Sequence, residues 1–163
     1  MQILRAKSED AATLTEIAFA AKRHWGYPER WIENWRDLLT IKPEFIGDHE
    51  TYTAIVDSQT VGFYALGRKE ARADLLHMWV LPDWMGCGVG RALFHHALAR
   101  SKVLGFRELE IESDPNAERF YQRLGARRVG VSRKELDGER RELPLLIYEI
   151  EVACDPKIQN RKR

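Results

Sequence analysis

The sequence predicts a mixed α/β fold with a mostly antiparallel central sheet flanked by about four helices. Three observations carry this. The apolar spacing switches repeatedly between a helical period and a strand period along 163 residues. Two strand-like runs, 51–56 and 61–67, are joined by Asp57-Ser58-Gln59-Thr60, a hairpin connection. A third run, about 73–81, is apolar on both faces, as a central buried strand is.

Residues 2–7 read as an opening strand. Ser8 is placed to cap a helix with Glu9 and Asp10 in its first turn, where negative charge suits the dipole. Leu14, Ile17, Ala18 and Ala21 give that helix its apolar face. Gly26-Tyr27-Pro28 breaks it, and Pro28 opens a second helix through Trp31, Ile32, Trp35, Leu38 and Leu39. After the three strands, a long helix runs from Gly88 to about Leu104 with Gly105 as its stop. A strand at 107–113, a helix from Pro115 to Leu124, and strands near 127–132 and 143–152 complete the order β-α-α-β-β-β-α-β-α-β-β. Neither repeats nor a linker interrupt the pattern. The expectation is one domain over 1–152 and a basic, flexible tail over 153–163.

Composition narrows the function. Twenty-six basic and 25 acidic side chains nearly cancel, so no global field recruits nucleic acid or an anionic membrane. No run approaches the ~20 apolar residues that span a bilayer, and the N-terminus lacks the apolar core of a signal peptide. The two cysteines, Cys87 and Cys154, are far apart and in no metal-ligand spacing, which points to a cytoplasmic protein without a metal. His95-His96 have no spaced partner either.

Chemistry concentrates between Leu75 and Ala126. The buried strand Leu75–Leu81 ends at Pro82, and Gly86-Cys87-Gly88-Val89-Gly90-Arg91 opens a helix. Glycines at alternating positions let the chain visit positive φ and let a ligand touch the backbone, while the helix start turns bare N–H groups toward a diphosphate. A tight turn that only packs helix on strand has the same glycines. A dinucleotide fingerprint is the main competitor, with Glu110 near the place of its ribose-binding acid. Its G-x-G-x-x-G spacing is absent, however, and the preceding strands read as a meander. A P-loop would need Gly-Lys-Ser/Thr where Gly90-Arg91-Ala92 stands.

Two segments resemble the GCN5-related N-acetyltransferase (GNAT) superfamily. Val80-Leu81-Pro82-Asp83-Trp84-Met85-Gly86-Cys87-Gly88-Val89-Gly90-Arg91 resembles its strand and Arg/Gln-x-x-Gly-x-Gly/Ala turn. Asp114-Pro115-Asn116-Ala117-Glu118-Arg119-Phe120-Tyr121-Gln122-Arg123-Leu124-Gly125-Ala126 resembles its Asn-x-x-Ala-x-x-(Leu/Phe)-Tyr-x-x-x-Gly-(Phe/Ala) helix. Together they span residues 80–126, a little under a third of the chain. Met85 departs from the usual Arg or Gln and Asp114 from the usual Asn. Each removes a donor, and Asn116 is the neighbour that can replace the second.

The resemblance implies acetyl-CoA as acetyl donor and direct transfer to a primary amine. It implies pantetheine against the backbone of Met78, Trp79 and Val80, the diphosphate over Gly86 to Arg91, and Tyr121 as proton donor to the departing thiolate. Tyr121 also suits a core position beside Phe120. For the base, period-2 alternation puts Glu108, Glu110 and Glu112 on one strand face, either solvated or bordering a cleft. Glu110 lies nearest the family's glutamate, with His77 or a water as alternatives. Cys87, at a helix start, reads as a small turn residue. His24 and Tyr27, at the first helix break, are candidates for the acceptor wall, whereas Trp31 and Trp35, four apart, fit a structural staple. The expected acceptor is a small-molecule or amino-acid-like amine, and a homodimer stays open. A non-catalytic acyl-CoA-binding sensor of the same fold is the alternative.

Overall fold

The computed structural model describes residues 1–136 and 138–151; the basic tail expected over 153–163 lies outside them. Among the described residues one seven-stranded sheet runs in the order β1-β2-β3-β4-β5-β7-β6. Its strands are β1 (Gln2–Arg5), β2 (Glu50–Val56), β3 (Gln59–Lys69), β4 (Arg72–Val80), β5 (Glu108–Glu112), β6 (Arg127–Leu136) and β7 (Glu139–Glu149). Every neighbouring pair is antiparallel except β4 and β5, which run parallel. The third strand-like run is thus the middle strand, as its apolar pattern predicts.

Among the described residues six α-helices cover the sheet: α1 (Ala11–His24), α2 (Glu29–Asn34), α3 (Arg36–Leu39), α4 (Pro43–Asp48), α5 (Val89–Val103) and α6 (Glu118–Arg123). Adjacent residues of β3 show the layering. Tyr64 points into the core beneath α5, with Leu93, Phe94, Leu109 and Leu146. Phe63 points to the other face, into the core of α1 to α4, with Leu14, Ile17, Ile32 and Trp35. Each side chain is fully buried, as period-2 alternation in a two-sided sheet requires.

Three local expectations change. Ser8 does not cap α1. Residues Ser8–Asp10 form a 3-10 turn whose Asp10 carboxylate accepts from Lys7 N at 2.8 Å, and the Ser8 hydroxyl lies 3.5 Å from the Pro43 carbonyl. The second helix breaks at Trp35, whose indole is buried in the lower core (φ −88°, ψ 3°), giving α2 and α3. Pro28 stands just before α2 rather than inside it, and α4 is an additional helix opened by Pro43. The β2–β3 hairpin forms as the sequence predicts, but its connection is the two-residue turn Asp57-Ser58, with φ of 47° and 66°, because Gln59 and Thr60 already belong to β3. No described helix is long and apolar enough to cross a membrane.

Candidate active site

The site originates in a fault in the sheet. β4 and β5 pair only at Ala73–Leu109 and Asp74–Glu110. Beyond these two pairs the strands diverge, helped by a bulge at Leu76, where β4 shifts register against β3. The β5-facing edge of β4 from Leu75 to Val80 is left without a strand partner, so its backbone polar groups are available to an extended ligand. A cavity of about 270 Å³ fills the wedge. Met78, Trp79 and Val80 form one wall, Ile111 to Asp114 the other, and Tyr121 and Phe120 of α6 the back.

The cavity runs to the glycine turn, where Gly86 and Gly90 line it. Gly86 (φ 77°) and Gly88 (φ 86°) are left-handed, as the glycine argument requires. Gly90 has a different reason: it lies inside α5, and a Cβ there would meet Phe120 Cζ at 3.2 Å. Gly88 caps α5 without a side-chain bond, and the first α5 bond of the turn is Ala92 N to Gly88 O at 3.0 Å. The N–H groups of the first turn, through Arg91, therefore have no intrahelical acceptor and make an anion-ready end on a 15-residue helix. Cys87 is exposed, while Val89 is buried against the core; neither lines the cavity.

Opposite the turn, side chains from distant segments converge on Asp114. Its carboxylate accepts from Lys22 Nζ (2.6 Å), Tyr27 Oη (3.0 Å to each oxygen), Asn116 N (2.9 Å) and Asn116 Nδ2 (2.9 Å). The backbone bond is the helix cap that the sequence predicts at Asp114-Pro115. The Asn116 amide, the expected substitute donor, is engaged by Asp114 and by Tyr27 Oη at 3.2 Å. Burial would raise the Asp114 carboxyl, but the Lys22 ammonium and the converging donors outweigh it and hold it below the usual carboxylate range. Burial lowers Lys22, with Asp114 offsetting part of the effect. Burial and then the charge of Asp114 push Tyr27 up to about 12. The ammonium also sits 4.3 Å from the Trp35 ring centroid and 4.6 Å from that of Tyr27.

The expected catalytic groups separate. Tyr121 is buried on the cavity wall, with its hydroxyl pKa raised by burial and then by Asp114, so it stays protonated. Glu110 lies at the last paired position of β4–β5, below the fork. Its carboxylate is ion-paired with Lys69 and lies 3.4 Å from Arg72 Nη1, and it does not line the cavity. Glu112, one strand repeat further, does line it and pairs with Lys134 at 2.6 Å. His77 also borders the cavity, but Trp79 Nε1 donates to its Nδ1 at 3.1 Å. An indole N–H only donates, so that nitrogen is an occupied acceptor and the ring proton resides on Nε2. Burial and then nearby His49 lower His77 to about 4.

At the helix break, His24 is exposed and away from the cavity, whereas neighbouring Trp25 lines it. Tyr27 reaches the wall through Asp114. Trp31 and Trp35, with ring centroids 5.9 Å apart, pack as the staple their spacing suggests. Lys22 was not among the sequence candidates, although its place one helical repeat after Leu14 and Ala18 marks it as a charge on an apolar face. Among the described residues, no group of His, Cys, Asp and Glu could hold a metal ion.

Comparison with known proteins fits this geometry. A model described as the Acetyltransferase (GNAT) domain matches residues 29–140. The chain is 35% identical over 111 residues to the peptidyl-lysine N-acetyltransferase YjaB of Escherichia coli, covering 68% of this chain and 70% of that protein. A GCN5-related N-acetyltransferase from Rhodopseudomonas palustris superposes with a TM-score of 0.76 at 20% identity, over 91% of this chain and 94% of that one. The PaiA N-acetyltransferase of Thermoplasma acidophilum, solved with coenzyme A, gives 0.71 at 23% identity, over 91% and 98%.

Proposed function

The chain belongs to the GNAT acetyltransferases, and from that premise we propose that it moves the acetyl group of acetyl-CoA to a primary amine by direct transfer. The observation that carries this reading is the fork between β4 and β5, with one unpaired strand edge leading to the bare start of α5. Pantetheine, an extended chain with amides, suits the free edge at Met78 to Val80. The diphosphate suits the N–H groups between Gly86 and Arg91, which supply charge stabilisation without the arginine or glutamine that Met85 replaces.

The reaction joins the amine nitrogen to the thioester carbonyl carbon and breaks the carbon–sulfur bond. The attacking amine loses a proton and the thiolate gains one. Tyr121 is the proposed donor to sulfur, because its raised pKa keeps it protonated beside the cavity. For the other proton, Glu112 is one of two carboxylates at the cavity wall, and the other, Asp114, is taken up by Lys22, Tyr27 and Asn116. Burial would raise Glu112, but Lys134 and Ser132 hold it below the usual carboxylate range, which suits drawing in an ammonium and passing its proton on through water. Glu110, in its ion pairs below the fork, suits stability instead. The acceptor is proposed to be amino-acid-like, and the peptidyl-lysine activity of YjaB supports a lysine side-chain amine as one form of it.

An acetyl-CoA-dependent thiol-release assay over free amines, amino acids and short lysine peptides tests the activity. Glu112→Gln is expected to lower kcat by at least tenfold. Glu110→Gln is expected to leave kinetics intact and lower the unfolding midpoint. Thiol release that is independent of every amine offered would sink the transfer reading. The reverse behaviour of the two glutamine variants would return the proton to Glu110.

A further inference from the structure

Beside the Asp114 cluster, Arg141 on β7 sits over an aromatic platform of three mutually inclined rings. Its guanidinium carbon is 4.6 Å from the Trp35 ring centroid, 5.2 Å from that of Tyr27 and 5.6 Å from that of Trp31. One N–H donates to Tyr27 Oη at 3.3 Å. A guanidinium carries five donors, and among the described residues this one has no carboxylate partner. The neighbouring acids of the same hairpin are engaged elsewhere: Glu142 pairs with Arg133 at 3.1 Å, and Glu139 faces Arg30 at 3.9 Å. Asp114 is already taken up by Lys22, Tyr27 and Asn116. The cluster of Lys22, Arg141 and Asp114 therefore holds two cations and one anion.

The imbalance adjoins the site, with Asp114 on the cavity wall and Tyr27 and Arg141 behind it. Arg141 bonds Tyr27, Tyr27 bonds Asp114, and Asp114 lines the cavity. Trp31, part of the same platform, keeps a buried indole N–H without an acceptor. An arginine held among ring faces keeps a planar fork of donors for a partner, and the planar partner that fits such a fork bidentately is a carboxylate. Building on the acetyl-transfer reading, we propose that Arg141 binds a carboxylate carried by the acceptor, so that the enzyme selects amines with an acid group nearby. An anion there offsets the second positive charge, which in its absence lowers the pKa of Lys22. The carboxylate comes either from a free amino acid or from an acidic residue beside a peptide lysine.

The test uses matched acceptors that differ only in that group: lysine against lysinamide, and a short lysine peptide with glutamate against the same peptide with glutamine. The wild-type enzyme is expected to favour the acid member of at least one pair by tenfold or more in kcat/KM, expressed mainly in KM. The pair that shows the preference identifies the source of the carboxylate. Arg141→Gln should erase that ratio while still turning over the amide member, and Arg141→Lys should keep only part of it. A ratio measured on one preparation does not depend on how much of a variant is folded, so loss of the platform's packing cannot imitate the result. Equal rates on both members in the wild type, or an unchanged ratio in Arg141→Gln, overturns the carboxylate site and leaves acetyl transfer standing. No turnover of these four or of a wider amine set, with acetyl-CoA binding intact, overturns the transfer reading and this inference with it.

Discussion

The two ends of the cavity recognise by different means. At the glycine turn the offered groups are main-chain N–H groups, set by left-handed Gly86 and Gly88 and by the first turn of α5. At the Asp114 end they are side chains drawn from α1, the α1–α2 turn, the β5–α6 junction and β7. A backbone site needs only local sequence, because spacing and backbone dihedrals decide it. A side-chain site needs the tertiary fold to bring Lys22, Tyr27, Asp114 and Arg141 together. The first does not draw on the side chain at Met85, since its donors are main-chain N–H groups. The second has less reserve, because removing Lys22 or Asp114 leaves the buried charge of the other without its ion-pair partner.

Tyr121 stands between the two ends, and its removal is expected to have the largest effect. Tyr121→Phe keeps the ring against Phe94 and Phe120, at centroid distances of 5.7 and 5.0 Å, and deletes only the hydroxyl. Loss of general-acid help typically lowers a rate by 10²–10⁴-fold. Turnover should fall within that range, with acetyl-CoA affinity by calorimetry nearly constant. Wild-type turnover would make Tyr121 a packing residue and leave the thiolate without a side-chain donor.

Next comes the side-chain end. Lys22 and Asp114 are only 10% and 9% exposed, so Lys22→Met strands a carboxylate. Breaking a buried pair from one side costs about 3–5 kcal/mol, and the low end applies here because Tyr27 and Asn116 still donate to Asp114. Adding Asp114→Asn, the residue usual in the resembled motif, removes the stranded charge and should recover most of the loss in a denaturant titration. A double variant no more stable than the single one would show that the pair is not what couples α1 to the β5–α6 junction.

The same division governs what was legible in the sequence. The order of the strands, the central strand, the β2–β3 hairpin and the stop at Gly105 all follow from local periodicity and turn chemistry, and all are present. The β6–β7 hairpin extends well past the apolar segments because its outer half is held by charge. Arg133 faces Glu142 and Glu135 faces Arg140 across the ladder, a pattern that reads as loop when only apolar alternation is counted. Glu110 and Glu112 share a strand face, and only the point where β4 and β5 part decides which of them meets the cavity. Arg141 carries no local signal at all, because its platform comes from residues more than a hundred positions earlier.

The backbone end should give the mildest response and the cleanest contrast between two glycines. Gly88 has open space for a Cβ but a φ of 86°, so Gly88→Ala strains the turn without a clash. A left-handed alanine costs about 1–2 kcal/mol. If the turn relaxes to relieve that strain, its N–H groups turn away from the diphosphate. Acetyl-CoA affinity is then expected to drop about tenfold, equivalent to about 1.4 kcal/mol, with kcat little changed. Gly90→Ala has an ordinary helical φ, and its Cβ would press on Phe120 at 3.2 Å. Because Phe120 adjoins Tyr121, that variant should lose stability and turnover more than affinity. Calorimetry beside steady-state kinetics separates the two. If both glycines give the same modest loss of stability and neither alters affinity, the turn only packs helix on strand, and the diphosphate must bind elsewhere along the cavity.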